Sequence, residues 1–318
     1  MILEIRDLVI DYAMPRGDIH AVRNLSLDLH EGEILGVIGE SGSGKSTLGY
    51  AIPRLLPPPG VIRSGKILIE GENVLELRES ELNRIRGKKV TYVPQGAQNA
   101  LNPLFTVEHQ IADPIRHHKH TDWKDALRQT RASLELVGIS AKRTGEYPHQ
   151  YSGGMKQRSL IAMALALDSE MVILDEPTTA LDVVVQKQVF ELVKEVRKEF
   201  QTAFLLISHD LAIVSTVCDR IAIMYAGRIV EEAPTREIFD RPKHPYTKAL
   251  ISSLPRIHFS DEALEPIYGS PPNLANLPSG CAFHPRCKYA IEKCKQEMPE
   301  LEQIEENHLA ACFLAKEM

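Results

Sequence analysis

Gly39-Glu40-Ser41-Gly42-Ser43-Gly44-Lys45-Ser46-Thr47 satisfies the spacing G-x-x-x-x-G-K-[ST]. That pattern needs glycines because backbone N–H groups must close around the phosphates of a nucleotide. Gly39, Ser41, Gly42, Ser43, Gly44, Lys45, Ser46 and Thr47 are therefore the candidate binding residues. Lys45 is expected to reach the β- and γ-phosphates, and the Ser46 hydroxyl to complete the shell of a Mg²⁺ ion. The flanks agree. Glu33–Gly39 is a short apolar run of strand type, and Ser46 onward reads as the helix whose N-terminus receives the anion. The stretch implies a nucleoside triphosphate.

A second element lies far downstream. Met171-Val172-Ile173-Leu174 is an uninterrupted apolar run, as expected of a parallel strand covered on both faces. It ends in Asp175-Glu176, at the strand end where ligands of open α/β sheets sit. Asp175 is expected to hold Mg²⁺ through its water shell, and Glu176 to polarise a water for attack on the γ-phosphate.

Between the two stands Tyr151-Ser152-Gly153-Gly154-Met155-Lys156-Gln157-Arg158, followed by a helical run to Leu167. Ser152 is a natural helix cap, and Gly153 and Gly154 leave the N–H groups bare, which makes a second anion site. This segment resembles the signature motif of ATP-binding-cassette (ABC) ATPases, over roughly residues 1–250. The resemblance implies roles for several more residues. Tyr12 matches the aromatic that stacks on adenine. Gln95, in Val93-Pro94-Gln95, matches the Q-loop glutamine that touches both Mg²⁺ and the attacking water. Ala180-Leu181-Asp182 matches the D-loop, and His209, in Ile207-Ser208-His209-Asp210, the switch histidine that contacts the γ-phosphate.

The 318 residues suffice for one large core plus an appendage. A hydrophobic fraction of 43% and a charged fraction of 25% are those of an ordinary globular chain. A net charge of −6 argues against a nucleic-acid surface. No stretch approaches the roughly 18 consecutive apolar residues of a membrane span, and Met1–Arg6 lacks a signal-peptide core. The expectation is a protein kept in the cytoplasm, reaching the cytoplasmic face of the cell membrane through partners.

Alternating short strands and amphipathic helices indicate an α/β core. Leu3–Asp11 and Ala21–Leu29 alternate as antiparallel strands do, Pro57-Pro58-Pro59-Gly60 breaks the chain after the first helix, and Ala203–Ile207 reads as a buried strand. Residues from about 96 to 165 read as helical. Within them His117-His118-Lys119-His120 is expected to be a solvated loop, and Trp123 to be a packing residue.

The tail carries separate chemistry. Cys281, Cys287, Cys294 and Cys312, four of the five cysteines, fall in the last 38 residues with spacing C-x₅-C-x₆-C-x₁₇-C. In a reducing compartment such clustering favours a metal or cluster over disulfides. Zinc sites usually show close C-x₂-C pairs, which are absent here; four loosely spaced thiolates suit an iron–sulfur cluster, with a spacing that matches neither common ferredoxin pattern. Cys218 follows Val214 and Val217 and reads as a small buried apolar residue. His244-Pro245-Tyr246-Thr247-Lys248-Ala249-Leu250, Ile267-x-Gly269-x-Pro271-Pro272, the Pro278-Ser279-Gly280-Cys281 segment and Asn99–Pro103 resemble the ATPase subunits of oligopeptide/dipeptide importers. The resemblance implies a [4Fe–4S] cluster on the four tail cysteines. Gly96-Ala97-Gln98 departs from many members, which carry an acidic residue and a proline there, in a segment that faces the membrane subunits.

The fold expected is therefore an α/β P-loop NTPase core of ABC type. It combines a RecA-like sheet with an antiparallel β subdomain, a helical subdomain (about 96–165) within residues 1–254, and a small Cys₄ extension over 255–318. The activity implied is ATP hydrolysis with Mg²⁺, the ATP lying between the phosphate loop of one cassette and Ser152–Gly154 of another. The partners implied are a second, non-identical ATPase subunit and two transmembrane permease subunits, with an extracytoplasmic solute-binding protein acting indirectly and no nucleic acid. The cluster reads as a structural staple, with a redox sensor as the other role. The alternative function is a soluble cassette ATPase acting on ribosomes or nucleic acid.

Overall fold

The computed structural model describes residues 1–15, 17–96, 100–179, 181–253 and 267–318. Ala97, Gln98 and Asn99, next to the Q-loop glutamine, and Ala180 of the D-loop lie outside the described residues. In chain order the elements are β1 (Leu3–Tyr12), β2 (Ile19–Leu29), β3 (Ile34–Ile38), α1 (Lys45–Ala51), β4 (Gly60–Ile69), β5 (Glu72–Asn73), α2 (Glu79–Ile85) and β6 (Val90–Val93). Then follow α3 (Val107–Lys119), α4 (Trp123–Leu136), α5 (Gly153–Leu165), β7 (Met171–Asp175), α6 (Val183–Phe200) and β8 (Ala203–Ser208). The chain closes with α7 (Leu211–Val217), β9 (Arg220–Tyr225), β10 (Arg228–Pro234), α8 (Thr235–Asp240), α9 (Pro245–Ser252), α10 (Glu292–Gln296), β11 (Glu302–Glu305) and β12 (His308–Ala310).

Contacts divide the chain into two compact units. The first comprises Met1–Leu3, Leu29–Glu33 and Ile69–Leu206, the second Glu4–Asp28, Ile34–Leu68 and Ile207–Met318. In the first unit β7 lies beside β6, the two running parallel with Val93 opposite Leu174. Every residue of β7 is buried, which is why its sequence reads as a continuous apolar run. Between Leu101 and Leu165 the described residues form helices and turns with no strand, as the sequence predicts. His117-His118-Lys119 is not a loop but the last turn of α3, with His120 at the left-handed cap position (φ 50°). Basic groups at a helix C-terminus are favoured by its exposed carbonyls. Trp123 is a packing residue: its ring lies 4.6 Å from His109, with the Arg116 guanidinium 4.8 Å above it.

In the second unit β2, β1 and β4 are neighbours in one sheet, and β11, β12, β10, β9 and β3 are successive neighbours in another. β3 and β9 run parallel, whereas β9–β10, β10–β12 and β11–β12 are antiparallel. The cysteine-bearing tail thus ends as two strands of the second unit's sheet, with Glu231 of β10 opposite Ala310 of β12. One buried carboxylate ties this region together. Glu231 is fully buried and accepts from the backbone N–H of Lys243 (2.6 Å) and His244 (2.9 Å), and lies 2.7 Å from His308 Nε2. Burying a polar group this deeply is costly unless it is hydrogen-bonded in this way. Cys218, buried at the end of α7, behaves as the small apolar residue expected. Among the described residues no helix is long and apolar enough to cross a membrane.

His244 gives this region a pH dependence. Its Nδ1 accepts from the N–H of Tyr246 at 3.0 Å, capping α9, so the imidazole must stay neutral there. Burial pulls its pKa down to about 4, against a smaller opposing pull from Glu231. The unfolded chain takes up the proton near pH 6.5. Between those two values the unfolded state binds more protons, so stability falls as pH is lowered from about 6.5 to 4, by up to ~1.4 kcal/mol per unit. Thermal melting across that range should show this slope. His244→Asn, which keeps a capping acceptor that does not titrate, should reduce it; an unchanged slope would remove His244 as the cause.

Candidate active site

The phosphate loop belongs to the second unit. It leaves β3, whose five residues are all buried, and enters α1 through Gly44, which holds a left-handed backbone (φ 103°). A Cβ on Gly44 would lie 2.2 Å from Ala21 O, and one on Gly39 2.2 Å from Met224 O. These two positions must be glycine because main chain passes too close for any side chain. Gly42 also takes positive φ (79°), with open space around it. Lys45 and Ser43 are buried. The Lys45 ammonium donates to Gly39 O at 2.8 Å, Glu40 O at 2.9 Å and Ser43 Oγ at 3.4 Å, so the loop's own oxygens hold the cation at its centre. Ser46 and Thr47 follow in the first turn of α1, and Tyr12 Oη lies 3.3 Å from Thr47 Oγ1. Tyr12 is thereby held beside the loop. Ser41 is exposed on the loop. His209, the residue after β8, is exposed, while Asp210 caps α7 by accepting from Ala212 and Ile213 N–H at 3.0 and 3.2 Å.

The first unit carries the carboxylates. Because β6 and β7 are parallel and in register, Gln95 and Glu176 leave the same strand ends. Gln95 Nε2 donates to Glu176 Oε2 at 2.6 Å, and Thr179 Oγ1 lies 3.0 Å from the same oxygen. Glu176 takes a left-handed backbone (φ 45°), a conformation costly for a non-glycine residue and frequent at functional sites. Asp175 is buried, and Tyr92 Oη donates to its Oδ2 at 2.7 Å. Tyr92 was not legible as a site residue in the sequence. It lies in β6, and only the pairing with β7 shows what its hydroxyl touches. Asp175 offers a hard oxygen donor of the kind Mg²⁺ prefers, and in the second unit the Ser46 hydroxyl is of the same kind.

Two further anchors sit in this unit. Ser152 Oγ accepts from Met155 N–H at 3.3 Å, capping α5. Gly153 opens that helix. At Gly154 a Cβ would lie 2.5 Å from Val185 Cγ1, so the glycine lets α5 approach α6. Asp182 caps α6, accepting from Val185 N–H at 3.0 Å.

Comparison with known proteins agrees with this geometry. Residues 22–179 match the ABC transporter family, and residues 230–294 the C-terminal region of oligopeptide/dipeptide transporters. The chain is 41% identical to the oligopeptide transport ATP-binding protein OppD of Escherichia coli, over 98% of this chain and 93% of that protein. It is equally 41% identical to the dipeptide transport ATP-binding protein DppD of Caldanaerobacter subterraneus, over 100% of this chain and 98% of that one. The chain belongs to the ATP-binding subunits of oligopeptide/dipeptide ABC transporters. Its fold is that of the cassette ATPases. The ATP-binding cassette MJ0796, solved as a dimer in a post-hydrolysis state with ADP and Pi, superposes with a TM-score of 0.67 and 26% identity, over 74% of this chain and 99% of that one. Membership makes this chain an ATPase, and the alternative of a ribosome or nucleic-acid ATPase is not favoured.

In the tail the Cys281 N–H donates to Cys294 O at 2.8 Å, which ties two of the cysteine-bearing segments together. Burial pushes the Cys281 thiol up to about 11, with smaller contributions from Cys294, Cys312 and Cys287. Cys287 and Cys312 are likewise raised, first by burial and then by neighbouring thiols. Gly280 (φ 65°) allows the turn, since a Cβ there would lie 2.4 Å from Cys294 O. The four do not close on one point. Among the described residues no group of three or more His, Cys, Asp or Glu could hold a metal ion. The cluster expected from the sequence does not appear as a metal centre in this geometry.

Tyr92→Phe should raise the Mg²⁺ concentration for half-maximal ATP hydrolysis by about tenfold, the worth of a hydrogen bond to a charged group, while leaving the fold intact. An unchanged Mg²⁺ dependence would show that Tyr92 does not position Asp175 for metal.

Proposed function

We propose that this chain is the ATP-hydrolysing subunit that drives import of peptides through a membrane ABC transporter. The observation that carries the reading is the Glu176 carboxylate, which accepts from Gln95 in a chain similar to OppD and DppD proteins along its whole length. A carboxylate so oriented can take a proton from an attacking water. Lys45 and the loop N–H groups would neutralise phosphate charge, Ser46, Asp175 and Gln95 would be the residues to hold Mg²⁺, and His209 would contact the γ-phosphate. Bound Mg²⁺ supplies charge neutralisation at the transferred phosphoryl group. Tyr12 stacks on adenine. Residues 1–254 are read as the nucleotide-binding domain, with 96–165 as its helical subdomain and 255–318 as the extension.

A second, non-identical ATPase subunit completes each site. Ser152, Gly153 and Gly154 present the capped N-terminus of α5 to the partner's ATP, and Asp182 stands at the same boundary. Val183 and Val184, which follow Asp182, are 79% and 68% exposed, an apolar start to a helix that suits coverage by another chain. Two permease subunits dock near the Q-loop, where Leu104 and Phe105 are also exposed. In this reading the subunit works at the cytoplasmic face of the membrane, with a solute-binding protein acting across it.

Replacing Glu176 with Gln should abolish turnover in the assembled transporter, by 10²-fold or more as general-base losses run, while preserving ATP affinity and stabilising the nucleotide-bound pair. Near-normal hydrolysis by this variant would sink the assignment.

We also propose that Cys281, Cys287, Cys294 and Cys312 hold a [4Fe–4S] cluster as a structural staple. The Cys281–Cys294 backbone hydrogen bond, which ties two of the four segments together, supports this, and a four-iron cube asks one thiolate per iron rather than four around one ion. Protein purified without oxygen should be brown, with about four irons per chain. Serine at any of the four should bleach it, and Cys218→Ser should not. A colourless protein holding one zinc would overturn the cluster and leave the ATPase standing.

A further inference from the structure

Glu40 poses an electrostatic problem for a loop that receives a triphosphate. It is the second residue of the phosphate loop, and its carboxylate is like-charged with the ligand. The tail answers it. Arg286, in a 3-10 turn (His284–Arg286) one residue before Cys287, grips Glu40 with both ends of its fork. Nη1 donates to Oε2 at 2.7 Å and Nη2 to Oε1 at 2.9 Å. The remaining guanidinium nitrogen, Nε, donates to Tyr268 O at 3.0 Å. The pair is largely withdrawn from water, with side-chain exposures of 7% for Arg286 and 22% for Glu40, so solvent screens it weakly.

The surroundings hold both partners still. Tyr225 Oη lies 3.3 Å from Arg286 Nη1, and the Glu40 N–H donates to the hydroxyl of fully buried Tyr246 at 2.9 Å. The rings of Tyr225, Tyr246 and Phe283 form a continuous cluster, with centroids 4.6 to 5.4 Å apart. Strand β9, helix α9 and the cysteine-bearing tail therefore meet at one residue of the phosphate loop, all within the second unit. A bidentate arginine fork fixes carboxylate orientation as well as charge.

We infer that Arg286 is a positioning residue for nucleotide binding: it cancels the Glu40 carboxylate and holds it in place, so that the phosphate loop accepts a polyanion only while the tail is docked. This deepens the ATP-binding reading of residues 39–47 and rests on it. Loss of Arg286 leaves a partly buried, uncompensated carboxylate on the loop. The penalty is electrostatic, so it grows with the charge of the nucleotide and disappears when Glu40 is made neutral.

Equilibrium binding of ATP, ADP and AMP to the full-length chain tests this in two backgrounds. Arg286→Ala should weaken ATP binding by about tenfold, ADP less and AMP least, as expected for an unpaired charge at an effective dielectric near 20. In the Glu40→Gln background the same substitution should change ATP affinity by less than about twofold. Arg286→Lys, which keeps the charge but not the fork, should fall between, and serves if the alanine variant does not fold. Equal losses in both backgrounds, or no loss in the first, would overturn the inference and leave Arg286 as a structural anchor of the tail. Lys45→Ala separates the two readings. If it too leaves ATP affinity unchanged, the phosphate-loop assignment fails along with the inference. If it weakens ATP binding while Arg286→Ala does not, only the inference fails.

Discussion

Close approach of main chain to main chain at the phosphate loop is the constraint on which the rest of the second unit depends. At Gly39 and Gly44 an added Cβ would lie 2.2 Å from the carbonyl oxygens of Met224 and Ala21. Those carbonyls belong to β9 and β2, so the loop's shape is set by two strands on either side of it and not by its own sequence alone. With no side chains in the way, the loop can curl tightly enough for its oxygens to hold the Lys45 ammonium. A cation held by fixed dipoles needs little rearrangement when phosphate arrives, which is the economy of a preorganised site.

The second unit also absorbs the tail into its architecture. β12 pairs with β10, and Glu231, sealed from water, joins the start of α9 to His308. Removing one partner from such a buried arrangement leaves the other polar group without its hydrogen bond, at a cost of about 1–3 kcal/mol. The tail is thus part of the platform that carries the nucleotide loop. Arg286 is where that platform touches the loop itself.

Much of this was legible in the sequence, and the parts that were not have physical reasons. The phosphate loop and the strand before Asp175-Glu176 are dense local patterns, since glycine spacing and a run of buried apolar residues are fixed by chemistry within a few positions. The helical stretch from about 96 to 165 follows from the absence of buried-strand runs. His117–Lys119 reads as a solvated loop because no carboxylate or cysteine lies at ligand spacing to make it a metal site, yet these residues form the last turn of α3, a continuation that no local signal marks. Tyr92 and Arg286 act through partners more than 80 residues away in the chain, and no local pattern carries such information. The strands of the tail were hidden as well. Glu302-Gln303-Ile304-Glu305 is too polar to read as a strand, and it becomes one only because it pairs with β12 at the sheet edge.

On the proposed function, one chain supplies complementary parts of two different ATP sites, and neither site works without a second cassette. The direct measurement is the rate of ATP hydrolysis per subunit as the partner ATPase is titrated into this chain within the assembled transporter, at fixed Mg²⁺ and saturating ATP. The account predicts a rate near zero for the chain alone, rising to a plateau at one partner per subunit. A rate per subunit that is already maximal without the partner, and unchanged by adding it, would contradict the account.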